Sequence, residues 1–408
     1  MRNRIFLLVL LSLSLVFRVA AHGDDHGHDV HEEGHGKFDP GATAIHHISD
    51  ANVYSIMDAV RIPLPMILKS DKGWDIFSSG KFAPGHHEDG HNAYNGYVMH
   101  HGSVYRVTQA GFPMEGLVPV DGFKHTEELI DGKMRDVYFV RYQDKEYRLD
   151  ARTTLDGGIL GGGFTSFMDF SITKNVVSMI LVSLFLIWLF RLAAKRYVVS
   201  PDKAPRGVQG LLEPLILFVR DEVAIPFIGD KYRTFLPLLL SIFFFILALN
   251  LWGQVPFLGS VNVTGSLSVT MVLAVLVFII SNVLGNKHYW GHIFWMPGVP
   301  VPIKILLAAV EVMALFIKPL TLMLRLAGNI SAGHIAILSF VGLIFIFGNS
   351  GESLGGSLVG TAVSVPLTMF MMTIELIVAF VQAFVFTILT ASYIGAAIEE
   401  PHHEAAHH

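Results

Sequence analysis

Arg325 lies in the middle of the run Ile317 to His334, part of a long apolar stretch over 302–347, and this stretch and the one after it carry most of the ionisable groups set in hydrophobic surroundings: Glu311, Lys318, Arg325 and His334, then Glu375. A guanidinium at a bilayer centre costs at least about 3 kcal/mol, and unlike a lysine it cannot shed its proton to escape that cost. A permanent cation, buried carboxylates and an imidazole that titrates near neutrality form a set suited to moving ions through a membrane. Asn329 and Gln382 add neutral polar groups to the same two stretches.

These groups need long helices to position them. The stretch 302–347 contains 46 residues, and as one helix it would extend roughly 69 Å against a hydrocarbon thickness of about 30 Å. It and its successor, 357–398, must therefore tilt steeply, bend or break, with Pro319 and Pro366 as the expected bend points. The Gly-rich connection from Gly348 to Gly356 makes them an antiparallel hairpin. Glu311, Lys318 and Arg325 recur at intervals of seven and so share one helical stripe, as do Glu375 and Gln382. Residues at equal depth on antiparallel helices keep a constant sum of residue numbers. Arg325 with Gln382 and His334 with Glu375 give nearly the same sum, so one register places Arg325 level with Gln382, and His334 level with Glu375 nearer the connection. Arg325 and His334 are nine apart and should face opposite ways. The expectation is that Arg325 addresses a partner outside the hairpin while His334 faces a polar entry path.

The rest of the chain supports a membrane setting. It is 52% hydrophobic and 15% charged, too apolar for an ordinary soluble protein of this size. The net charge of -5 and the lack of a long basic run exclude nucleic acid as a natural partner. Cysteine is absent, which excludes disulfides and thiolate metal sites. Residues 1–21 have the layout of a secretory signal: Arg2 and Arg4, an apolar core from Ile5 to Phe17, and Val19-Ala20-Ala21 as a small-residue cleavage site. Residues 22–172 form an exported, His-rich region, with 22–37 expected to be disordered. The remainder of that region reads as small and mostly β, with strands at Val60–Leu68 and Val137–Leu149 and a turn near Asp144-Lys145. Residues 173–400 form the membrane domain, with spans at 174–192, 234–253 and 265–285 ahead of the hairpin, and 401–408 a His-rich cytoplasmic tail. The 193–233 segment carries seven Lys and Arg residues, whereas 254–264 and 348–356 carry none. By the positive-inside rule the first is cytoplasmic. Five crossings from an exported N-terminal region then leave the C-terminus inside. The expected fold is an all-α polytopic membrane protein, five crossings ending in a long tilted hairpin, preceded by a small mostly β exported domain.

The run Lys318-Pro-Leu-Thr-Leu-Met-Leu-Arg-Leu-Ala-Gly-Asn329, followed by Ala332-Gly333, resembles the signature helix of subunit a of the F-type ATP synthase, in a bacterial form with an extended exported domain. Val261-Asn-Val-Thr264 ahead of the third span, Glu311 fourteen residues before the arginine, and Gln382 to Thr390 in the last helix extend the resemblance over about residues 174–400. It implies a non-catalytic, proton-translocating stator subunit of the bacterial inner membrane, without cofactors. The implied partners are a ring of c subunits, peripheral-stalk b subunits, the soluble F1 ATPase and membrane lipid. Arg325 corresponds to the family's ring-facing arginine between two offset half-channels. Asn329, His334, Glu375, Gln382 and Glu311 correspond to groups of the proton path, and Lys318, Gly333 and Asn262 to supporting positions. The order His334 then Glu375 reverses that of many bacterial relatives and matches mitochondrial forms.

Two other readings are weaker. A self-contained ion-coupled transporter would show repeated halves and its own ion-binding carboxylate opposite the arginine. A membrane zinc protease is suggested by three literal H-E-x-x-H matches, beginning at His31, His87 and His403. That motif acts only on a stable helix, and these lie in Gly-rich, Asp-rich or terminal segments among twenty histidines. Loose metal binding by the His22 to His35 tract is the milder form of that reading.

Overall fold

The computed structural model of the chain describes residues 49–56, 60–85, 88–130, 133–150, 166–199, 204–255, 261–296, 299–348 and 353–399. The expected signal segment, the His22 to His35 tract and the tail from 401 lie outside these residues, as do the H-E-x-x-H matches at His31 and His403.

Residues 50–170 build twelve short strands: β1 (Val53–Ile56), β2 (Val60–Pro63), β3 (Pro65–Ser70), β4 (Gly73–Ser78), β5 (Asn92–Tyr94), β6 (Tyr97–His100), β7 (Ser103–Arg106), β8 (Leu117–Pro119), β9 (Gly122–Ile130), β10 (Lys133–Tyr142), β11 (Lys145–Arg148) and β12 (Phe167–Asp169). They pair antiparallel in four small sheets, ordered β1-β2, β12-β3-β4, β7-β6-β5-β8 and β11-β10-β9. Three hairpins turn on two residues with positive φ: Asn95-Gly96, His101-Gly102 and Gln143-Asp144. Such loops match the twist of the strands they join. The expected Val137–Leu149 hairpin is therefore present, its strands meeting at Tyr142 and Lys145. The expected Val60–Leu68 strand is two strands, interrupted at Leu64.

Eight α-helices follow among the described residues: α1 (Lys174–Val199), α2 (Val208–Phe218), α3 (Ile225–Ile228), α4 (Tyr232–Gln254), α5 (Leu267–Leu284), α6 (Lys287–Phe294), α7 (Val301–Phe347) and α8 (Leu354–Ile398). Among the described residues, five helical segments are long and apolar enough to cross a membrane. The 193–233 segment, read as a loop from its charges, is largely helical. Alpha, π and 3-10 turns link α2 to α4, so the second span runs from Val208 to Gln254. Lys195 and Arg196 lie at the end of α1, Arg206 just before α2, and Arg220, Lys231 and Arg233 within the helical run that follows. Neither proline breaks its helix: α7 passes through Pro319 and α8 through Pro366. Proline is tolerated in such helices because other groups take up the backbone positions it leaves.

The β region and the helices share one boundary. The Asp50 carboxylate accepts the backbone N–H of Asn175 at 3.2 Å, and Lys174 N–H donates to the Ala51 carbonyl at 2.9 Å, which ties the start of α1 to the strands. Tyr54 and Leu64 belong to the same buried apolar cluster as the cores of α1, α4, α5 and α8.

Candidate functional site

The hairpin expected from the sequence is formed by α7 and α8. Near their connection the Ser364 hydroxyl donates to the Phe340 carbonyl at 2.6 Å. Deeper in, His334 Nδ1 lies 3.1 Å from Glu375 Oε1, as the register required. The approach is within ion-pair distance but lacks hydrogen-bond alignment, since Glu375 Oε1 accepts no hydrogen bond. Glu375 is 3% exposed. Two glycines leave room for the pair. A Cβ at Gly333 would stand 3.1 Å from Glu375 Oε1, and one at Gly253 would meet the Val261 carbonyl oxygen at 2.8 Å and His334 Nε2 at 3.5 Å. Gly333 thus has a structural role beside the carboxylate.

Helix α8 buries a stripe of Glu375, Ala379, Gln382, Phe386 and Thr390 at intervals of three and four. Gln382 is therefore an inward-facing group. Helix α7 does the opposite around Arg325. Leu322, Leu326, Ala327 and Ile330 face inward, whereas Thr321, Leu324, Arg325, Gly328, Asn329 and Ala332 are exposed. Arg325 forms no ion pair or hydrogen bond among the described residues. It projects from an outer face on which Gly328 and Ala332 keep the surface low. The expectation that Arg325 and His334 face different ways is met.

A polar scaffold missed by the sequence reading holds the inner side. Asn250 Nδ2 donates to the Ala379 carbonyl at 3.0 Å, its Oδ1 accepts from the Thr264 hydroxyl at 2.6 Å, and Gln254 Nε2 donates to the Glu375 carbonyl at 2.9 Å. Asn262 Oδ1 accepts from Gly265 N–H at 3.0 Å, and its Nδ2 approaches the Ser331 hydroxyl at 3.4 Å. Asn262 thus braces the approach to α5 through Gly265 and reaches α7 at Ser331. The available signal was the pair Asn250 and Gln254, four apart near the end of an otherwise apolar span, which places both on one face.

Glu311 and Lys318 do not join this cluster. Glu311 lies fourteen residues before Arg325 on one continuous helix, about 21 Å along its axis. Its charge acts on Tyr289 of α6, whose hydroxyl is raised above its ordinary range first by burial and then by that carboxylate. Lys318 sits over the Tyr393 ring at 5.6 Å and lines a cleft with Ser281, Asn282, Tyr289 and Tyr393.

The one H-E-x-x-H match that reaches the described residues fails the helix requirement. Glu88 has a positive φ, and Pro84 and Gly90 form an isolated β-bridge, so the segment is an irregular turn.

Comparison with known proteins gives two family matches. The family described as ATP synthase A chain matches residues 176–395. A domain of unknown function matches residues 43–131. Among curated relatives, ATP synthase subunit a 2 of Chlorobium luteolum is 40% identical over 249 residues, covering 59% of this chain and 70% of that protein. ATP synthase subunit a 2 of Prosthecochloris aestuarii is 40% identical over 257 residues, covering 61% and 75%. ATP synthase subunit a of Myxococcus xanthus is 39% identical over 271 residues, covering 63% and 82%.

Proposed function

We propose, from the premise that this chain belongs to the ATP synthase subunit a family, that it is the proton-conducting stator of an F-type ATP synthase, with Arg325 placed against a rotating ring of small c subunits. The observation that carries the reading is the division of the hairpin: a permanent cation on an outward face cleared by Gly328 and Ala332, and a His334–Glu375 pair on the inward side. The complex would also hold peripheral-stalk b subunits and the soluble F1 ATPase, in a bacterial inner membrane with the β region outside and the C-terminus in the cytoplasm.

The mechanism follows from charge. A ring carboxylate approaching Arg325 is stabilised as an anion, so it releases its proton on one side of the arginine and cannot carry one past it. Protons enter from outside along the polar groups around His334, Glu375 and Gln382, with Asn250, Gln254 and Asn262 fixing the backbone that holds them. They leave on the other side of the arginine, along the Glu311 and Lys318 end of α7. Each proton crossing gains about 2.3 kcal/mol per 100 mV, and the lateral offset between the two paths turns that gain into rotation. Asn329, one turn from Arg325 on the exposed face, shapes the approach of the ring. The chain itself carries out no bond chemistry.

The natural absence of cysteine provides the test. A cysteine at Gly328, where an added Cβ meets nothing within 4 Å, should cross-link to a cysteine on the outer helix of the ring. A cysteine at the exposed Leu184 of α1 should not. Equal cross-linking at both positions, or none at position 328 in an assembled complex, contradicts the placement.

A further inference from the structure

The strongest unassigned cluster of ligand-type side chains lies in the β region, where one donor atom from each of Asp89, His100 and His101 falls within 4.8 Å of the others. Each arrives by a different local device. His100 ends β6, and its ring is held by stacking on Phe123 at 4.5 Å between centroids and by an edge contact with Tyr138 at 5.2 Å. His101 is the first residue of the β6–β7 turn, with φ of 47°. Asp89 comes from the preceding loop, pinned by Gly85 N–H on its carbonyl at 2.7 Å and by Gly90 N–H on the Met99 carbonyl at 2.9 Å. Its Oδ1 accepts the His101 backbone N–H at 2.6 Å and lies 2.8 Å from His100 Nδ1. The two rings stand 4.1 Å apart.

The choice of residue at 101 is informative. Two-residue turns of this kind favour Asn-Gly, and the neighbouring β5–β6 turn has Asn95-Gly96. At the equivalent position of the next hairpin the chain places histidine, which gains nothing for the turn and brings a second imidazole to Asp89.

We propose that Asp89, His100 and His101 form a Zn²⁺ site, with two imidazole nitrogens, one carboxylate oxygen and a water molecule as the fourth ligand. Two nitrogen donors disfavour Ca²⁺ and Mg²⁺, which take oxygen shells of six or more. Zinc with nitrogen and oxygen ligands is four-coordinate with bonds of about 2.0–2.2 Å, which sets donors about 3.3–3.6 Å apart. The Asp89–His100 pair must open by about half an ångström from its present contact, and the widest separation must close by a little over one. Side-chain rotation supplies both. Zinc would take the lone pair of one nitrogen of each neutral imidazole and one oxygen of the ionised Asp89 carboxylate, replacing the present Asp89–His100 contact. The bound ion would staple the Pro84–Gly90 loop to the β6–β7 turn.

The test uses the full-length purified protein in detergent, in a background where the histidines of residues 22–47 and 402–408 are replaced by serine. That background should bind about one equivalent of Zn²⁺, should give the intense visible absorption of four-coordinate Co²⁺, and should unfold at a higher temperature with zinc than without. Asp89→Asn and His101→Asn, each made in it, should weaken binding by at least about tenfold and remove the zinc-dependent thermal shift. His101→Asn suits the turn, so its metal-free unfolding temperature should be unchanged or higher, which separates loss of a ligand from loss of fold. Zinc affinity unaltered in both variants, or no stoichiometric binding in the background protein, overturns the proposal.

Discussion

The Val208–Gln254 run and α7 have the same length, 47 residues, and their most apolar 18-residue windows have the same mean hydropathy, 2.3, yet half of that window is buried within the chain in the first and 11% in the second. Apolar content alone therefore does not decide what a membrane helix packs against. The first run is the centre of the helical core, with Leu239, Phe243, Ile246 and Leu249 sealed among neighbours. Helix α7 keeps contact with α5 and α8 through a narrow stripe and leaves the rest uncovered, and the uncovered part carries Arg325. A lipid-facing surface has no use for a guanidinium or for clustered small residues. A protein partner accounts for both.

The contrast can be broken most severely at Gly395 of α8, where an added Cβ would run into the Phe227 carbonyl oxygen on the covered side. Gly395→Val should destabilise the chain by about 3 kcal/mol, the upper part of the usual range for overpacking, because the contact is with backbone rather than with a flexible side chain. The yield of assembled complex measures it, and normal assembly would show that the packing around the Val208–Gln254 run is looser than described.

Exchange of the buried pair probes the inward side. His334→Glu should impair coupled synthesis by setting two carboxylates together, and Glu375→His by removing the carboxylate. The double exchange should recover part of the activity. A double variant no better than the worse single one, in assembled complex, would separate the two residues functionally. A smaller loss is expected for Gly333→Ala, whose methyl group would press on Glu375 at 3.1 Å. It should slow synthesis while leaving the unfolding temperature of the chain nearly unchanged.

The mildest change falls on the uncovered side. Gly328→Ala meets nothing within 4 Å in the chain and should stabilise the isolated helix by up to about 1 kcal/mol. If a ring packs there, the same methyl group should lower proton-driven synthesis. Unchanged synthesis would leave lipid as the neighbour of that face.

Much of the hairpin was legible in the sequence because helical periodicity and antiparallel register are rigid constraints. His334 and Glu375 meet where residue numbering required. The charges of 193–233 concealed helix, since positive residues at a span's edge look alike in a loop and in a helical turn. Pro319 and Pro366, the expected bend points, lie inside α7 and α8, which continue as helix through both. The Asp89, His100 and His101 cluster was invisible because Asp89 is eleven residues from His100, brought close only when the β5–β6 hairpin folds back and its pairing extends to Gly90 and Met99. Asn250 gives little signal in the sequence, because it is a single neutral amide in an apolar span outside the hairpin.

The central claim is that the outward cation of α7 governs ion passage at a rotating partner, and Arg325→Ala tests it directly. The complex carrying that substitution, purified and reconstituted in vesicles, is given an imposed proton gradient and its ATP synthesis is measured. The account predicts a fall of at least about a hundredfold, equivalent to ~3 kcal/mol, with subunit composition intact, and failure of Arg325→Lys as well, because an ammonium can lose its proton in a dry site. Substantial gradient-driven synthesis by Arg325→Ala would contradict it.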